Sequence, residues 1–172
     1  MSGGCGCDAP GLMPYEQALE QLLSQARSAQ PSIRLSLVEA LGRVLAEDQR
    51  SGVDVPPNDN SAMDGYALHT DSLSAESLSQ LVVSQRVPAG ADPEALRSGT
   101  AARIFTGAKI PAGANLVVKQ EDCESIMIGD EAAVQLPSDQ QTGQNIRLLG
   151  QDIRQNDIIM PAGTRLQAHH LG

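Results

Sequence analysis

Pro56-Pro57-Asn58-Asp59-Asn60-Ser61-Ala62-Met63-Asp64-Gly65-Tyr66-Ala67 is the stretch on which the reading of this chain turns. Its two prolines fix φ and remove two backbone donors. Asn, Asp and Ser follow, whose short side chains bond nearby backbone, and Asp64-Gly65 adds a further turn step. The segment reads as a tight, rigid loop crowded with carboxylate, amide and hydroxyl groups. Two readings are open from these residues alone. Asp59, Asn60 and Ser61 serve their own backbone, or the loop carries a site, since binding groups concentrate on rigidly held loops.

On the N-terminal side the pattern is helical. The first eleven residues, rich in Gly and Cys, are expected to form a disordered tail. Leu12, Tyr15, Leu19, Leu22, Leu23 and Ala26 recur at three- and four-residue steps, which predicts a helix from Leu12 to Ala26. Pro14 suits its first turn, and Pro31 prevents continuation. Ser36 and Glu39 form an S-x-x-E capping box. They open a second helix whose buried face is Leu37, Ala40, Leu41, Val44 and Leu45, ending near Asp48.

On the C-terminal side the period changes. Short β-rich runs alternate with turns at Leu81–Val83, Arg103–Phe105, Leu116–Gln120, Ile126–Ile128, Ala133–Leu136 and Ile158–Met160. Such spacing predicts a sandwich or barrel-like unit. An apolar residue followed by Pro-Ala-Gly occurs at Val87–Gly90, Ile110–Gly113 and Met160–Gly163. Pro second and Gly fourth fit a type I turn. Asp71–Gln80, rich in Ser, reads equally as a short helix or a loop.

Composition excludes several functions. The formal net charge of −9 has the wrong sign for phosphate-backbone binding. Tyr15, Tyr66 and Phe105 are the only aromatics, too few for stacking platforms, so no nucleic-acid partner is expected and the core must be aliphatic. No apolar run approaches the ~20 residues of a membrane span, and no signal peptide is visible. The chain reads as cytoplasmic. Cys5, Cys7 and Cys123 are read as free thiols. Met63 is expected in the core, and His69 on the surface.

The loop and three later segments together carry a resemblance. Asp59-Asn60-Ser61-Ala62-Met63-Asp64-Gly65-Tyr66-Ala67 is similar to the signature of the molybdopterin molybdenumtransferases, whose animal relative is the C-terminal domain of gephyrin. Arg103-Ile104-Phe105-Thr106-Gly107-Ala108 with Ile110-Pro111-Ala112-Gly113 resembles the family's strand and T-G-A turn. Val117–Glu121 and Asn145-Ile146-Arg147-Leu148-Leu149-Gly150-Gln151-Asp152-Ile153 match further family segments, in order. Asn58 stands where an aromatic is usual, and Leu148 and Leu149 where some relatives carry Arg. The resemblance extends from Leu12 to Leu171.

It implies an α+β chain: an elongated N-terminal helical region, 12–52 plus 144–172, and an inserted β-rich, barrel-like domain, 53–143. The family's pterin-binding and C-terminal domains are absent from it. The implied activity is insertion of molybdate into adenylylated molybdopterin with Mg²⁺, in molybdenum cofactor biosynthesis. The alternative is a non-enzymatic dimerisation or scaffold module. Implied partners are a second copy of the chain and the molybdopterin adenylyltransferase. Carried onto this sequence, Asp59, Asp152 and Thr106 are catalytic, with Asp59 and Asp152 as Mg²⁺ ligands. Gly107, Arg147 and Ser61 bind substrate, and Asp64 and Glu121 stand behind them. The fragment alone is expected to be inactive. A metal-dependent hydrolase on Asp59 and Asp64 is disfavoured because no nucleophile or His base stands beside them.

Overall fold

The computed structural model describes residues 13–26 and 31–172; the expected tail over 1–11, with Cys5 and Cys7, lies outside them. The chain divides into two compact units, Met1–Ala46 with Arg165–Gly172, and Glu47–Thr164.

In the first unit, α1 (Tyr15–Ser24) follows Pro14, and Glu16 sits in its first turn, where the helix dipole favours a negative charge. No residue of α1 is buried: Tyr15 is 74%, Leu22 72% and Leu23 65% exposed. The second expected helix is cut to one turn, α2 (Leu37–Ala40). Glu39 does reach back to the Ser36 N–H, at 3.3 Å, and takes the Ser36 hydroxyl at 2.6 Å. But Leu41 leaves the helical region, and Gly42 follows at φ 76°. The Gly42 N–H then bonds the Leu166 carbonyl, the Leu166 N–H bonds the Arg43 carbonyl, and Val44 bridges Arg165. Pairing with the chain's last residues overrides the helical period, so the expected elongated helical region is corrected: α1 has 10 residues and α2 four.

The second unit is almost wholly β. Six strands make one sheet: β3 (Gly65–Leu68), β4 (Leu78–Val87), β5 (Thr100–Ile104), β6 (Leu116–Lys119), β7 (Glu124–Ile128) and β8 (Glu131–Pro137). Their order is β6-β3-β5-β4-β8-β7, antiparallel except for the parallel pair β4 and β5. Two short ribbons complete it: β1 (Gln49–Arg50) with β10 (Ile158–Met160), and β2 (Asn60–Ser61) with β9 (Ile146–Arg147). Every run expected to be β overlaps a strand. Three strands separate β3 from β7, yet the Tyr66 hydroxyl lies 3.3 Å from Ser125 Oγ. The sheet therefore curls toward closure.

Its concave core holds Tyr66, Leu68, Leu116, Val118, Val134 and Leu136; the other face packs Ala67, Val87, Ala102, Ile104 and Val117. Alternate residues of β3 enter each core, so the strand is buried on both sides. Without period-2 alternation it reads as loop in the sequence. Gly65 is required there: a Cβ would stand 1.9 Å from the Val118 carbonyl oxygen.

The three Pro-Ala-Gly turns start one residue later than expected. The residue after each Gly donates to the Pro carbonyl, at 3.0–3.2 Å, and Gly90, Gly113 and Gly163 take φ of 82°, 92° and 84°. Gly is thus third in the turn with positive φ, the demand of type II rather than type I. In Asp71–Gln80, a 3₁₀ turn spans Thr70–Ser72 and β4 begins at Leu78. Met63, expected in the core, is 38% exposed.

Candidate functional site

The signature loop is threaded between the two other matched segments. On one side Asn60 pairs with Arg147 and Ser61 with Ile146. On the other, Asn60 bridges Lys109, the Ser61 N–H bonds the Ala108 carbonyl and the Gly107 N–H bonds the Ser61 carbonyl, at 2.9 and 2.8 Å. The Ile110 N–H also bonds the Asp59 carbonyl. Residues far apart in sequence are thereby fixed side by side. Upstream, the Gly150 N–H bonds the Pro56 carbonyl and the Asp152 N–H that of Val55, which seats 53–57 against 149–153.

The side chains are held as follows. Asp59 is exposed, and its Oδ1 accepts the Leu149 N–H at 2.7 Å. Ser61 is buried, and its hydroxyl donates to the Met63 carbonyl at 2.5 Å, a bond internal to the loop. Asp64 Oδ1 accepts both the N–H and the hydroxyl of Thr106, at 2.8 and 2.7 Å. These two bonds, the hydroxyl first, hold the Asp64 carboxyl below its ordinary range, and the nearby Arg103 charge adds to them. Arg147 and Asp152 form an ion pair, each about half exposed. Glu121 is exposed in a 3₁₀ turn and accepts from Gln120 Nε2 at 3.2 Å.

The Thr106 N–H and hydroxyl and the Gly107 N–H are thus already engaged. The Thr106 hydroxyl donates to the Asp64 carboxylate, and the Gly107 N–H donates to the Ser61 carbonyl. A Mg²⁺ ligand set is only half present. Among the described residues no three His, Cys, Asp or Glu side chains gather to hold a metal. Mg²⁺ is content with one or two carboxylates plus substrate oxygens. Asp59 is bonded through one carboxylate oxygen, and Asp152 is paired with Arg147.

Three residues absent from the sequence-derived set stand out. Arg103 donates from Nη1 to the Gly65 and Ile104 carbonyls at 2.9 and 3.1 Å, and from Nη2 to Gln120 Oε1. Its guanidinium carbon lies 4.6 Å from the centroid of the Phe105 ring, and that of Arg86 lies 4.5 Å from the same centroid. Arg86 and Arg103 are register partners across β4 and β5. The signal was available: Arg103-x-Phe105 places both on one face of a strand. Nearby, a cleft of about 320 Å³ is lined by Pro57, Asn58, Asn60, Gly107, Asp92 and Lys109, the last two bonded at 2.6 Å.

The larger unit is a curled β sheet whose rim carries interlocked loops with carboxylates and guanidiniums. The chain belongs to the family described as the MoeA N-terminal region (domain I and II), whose model matches residues 13–172. Among similar proteins, a molybdopterin molybdenumtransferase of Synechococcus elongatus is 37% identical over 161 residues, covering 90% of this chain and 39% of the relative. One of Haemophilus influenzae is 33% identical, over 90% of this chain and 37% of the relative. The crystal structure of a molybdopterin biosynthesis moeA protein from Pyrococcus horikoshii matches with a TM-score of 0.78 and 34% identity, covering 93% of this chain and 42% of that one. The chain therefore spans about two fifths of the length of the relatives it matches.

Proposed function

We propose that this chain supplies one half of a site that inserts molybdate into adenylylated molybdopterin, in molybdenum cofactor biosynthesis. The observation that carries the reading is the threading of Asn60-Ser61 between Gly107–Ile110 and Ile146–Arg147, which sets Asp59, Thr106 and the Arg147–Asp152 pair on neighbouring segments. Asp59, with one carboxylate oxygen unengaged, is the catalytic carboxylate. Thr106 offers lone pairs, as its hydroxyl donates to the Asp64 carboxylate. Asp152 orients Arg147, whose fork binds an oxyanion of the substrate bidentately. Mg²⁺, when bound at Asp59, supplies positive charge against the phosphoryl oxygens. The match covers less than two fifths of the two relatives' length, and this reading assigns the pterin to the part of them that the chain does not match. The module works in the cytoplasm, and the adenylyltransferase that makes its substrate is its natural donor.

The reading includes pairing of two subunits through α1. In α1 the apolar side chains Tyr15, Leu22 and Leu23 are more than half exposed, and amphipathic helices bury such a face against a partner.

The test is a chimera in which this chain is followed by the remainder of the Synechococcus relative. Asp59→Asn should lower molybdenum insertion by about 10- to 100-fold, and Asp152→Asn should do so through Arg147. Parental rates in both variants would overturn the assignment and leave the scaffold reading.

A further inference from the structure

We infer that Arg86 and Arg103, seated together on the Phe105 ring, form an oxyanion-binding subsite for a tetrahedral group of the molybdate or phosphate class. Four observations lead there. The Thr106 N–H and hydroxyl are both engaged by Asp64, and the Gly107 N–H by Ser61, so the turn has no donor left for an anion. Of the other cations near the loop, Lys109 is bonded to Asp92, and Arg147 is paired with Asp152, which orients it. Arg86, by contrast, is exposed, and among the described residues no carboxylate pairs with it or with Arg103. Finally, the guanidiniums of both arginines lie over one aromatic ring, at 4.5 and 4.6 Å from its centroid.

The geometry suits the task. Stacking on a ring orients a guanidinium while leaving its in-plane N–H groups free to bond. Arg103 is further fixed by the Gly65 and Ile104 carbonyls and by Gln120, so it is already oriented for binding. Arg86 supplies the uncommitted fork. Phe105 immediately precedes Thr106, which puts the subsite next to the groups assigned above. The inference deepens that assignment, but it is read by binding alone, so a failure of turnover and a failure of this subsite are distinguishable.

The experiment is an NMR titration of the 172-residue chain with sodium molybdate, inorganic phosphate and AMP, at ionic strength held constant with chloride. Saturable shifts are expected at the Phe105, Thr106 and Gly107 amides and at the Arg86 side-chain N–H, and none with chloride. Arg86→Ala should weaken binding by about tenfold, with Arg86→Lys between it and the parent, since a point charge replaces a planar fork. Arg154→Ala, which removes the same charge from another exposed position, should bind as the parent does. Tighter molybdate than phosphate or AMP assigns the subsite to the inorganic substrate; the reverse order assigns it to the adenylyl phosphate. Undiminished binding in Arg86→Ala, or no saturable shift with any of the three anions, overturns the inference. In that case the paired guanidiniums are packing against Phe105 and nothing more.

Discussion

Asp64 holds Thr106 by two bonds from one carboxylate oxygen, to the backbone N–H at 2.8 Å and to the hydroxyl at 2.7 Å. The last acidic residue of the signature loop thus determines which way the Thr106 hydroxyl points. Both bonds favour the ionised acid, so the folded pKa lies below the unfolded value of about 3.9. The stability this gives is present above that unfolded value and is lost as pH falls through the lower, folded one. The Thr106 amide shift, followed by NMR, should titrate with a midpoint below about 3.9, and Asp64→Asn should abolish the step. A midpoint at or above the unfolded value contradicts the contact.

Gly65→Ala should be among the most damaging single changes in the chain. The added Cβ meets the Val118 carbonyl oxygen at 1.9 Å, and that oxygen is backbone of the neighbouring strand. Overpacking of side chains typically costs about 1–3 kcal/mol, and here no rotamer can yield. A loss at or above about 3 kcal/mol in urea unfolding is expected. A loss under about 1 kcal/mol would mean that β3 and β6 can part cheaply.

Cys123 should be a poor nucleophile. Its thiol is half buried and donates to the Lys119 carbonyl at 3.1 Å, and burial, with Asp122 beside it, pushes its pKa up to about 11. The thiolate is the reactive form. Alkylation, located by peptide mass spectrometry, should be slow at neutral pH and rise only toward pKa-like alkalinity, while the urea-unfolded chain reacts readily. Rapid labelling of the native chain at neutral pH contradicts the burial.

Much of the larger unit was legible because β runs separated by Pro-Ala-Gly turns are a local signal. Leu116–Lys119 announces itself by its paired β-branched Val117 and Val118, and both it and Glu131–Pro137 by flanking turns. The gaps have physical causes. Gly65–Leu68 is buried on both faces and shows no alternation, so a central strand passed for loop. Val44 and Leu45 keep a helical period, but pairing of the 42–44 stretch with Arg165 and Leu166 decides their backbone, and no local window contains that pairing. For the site, the residue types in the loop were visible, but their bonding was not. Only the fold shows that Thr106 faces Asp64 and that Arg147 is bonded to Asp152. Arg86 escaped notice because its partner ring, Phe105, lies 19 positions away across a parallel strand pair.

Association through α1 is open to a direct check. Sedimentation at micromolar concentration should give twice the chain mass, and Leu22→Asp with Leu23→Asp should return a monomer with the β unit intact. Monomer throughout for the parent chain would contradict the proposed assembly.

The central claim is that this chain carries one half of a molybdenum-inserting site and depends on a second subunit for the pterin-binding half. It is tested most directly by mixing the purified chain with the chimera that carries Asp59→Asn, and measuring molybdenum inserted into adenylylated molybdopterin. Reacting groups must be held within a few ångströms of each other, so the chain alone should not turn over and the chimera should do so only at its reduced rate, while the mixture should exceed that rate in proportion to mixed dimer. Turnover by the chain alone, or a mixture as silent as its parts, would contradict the account.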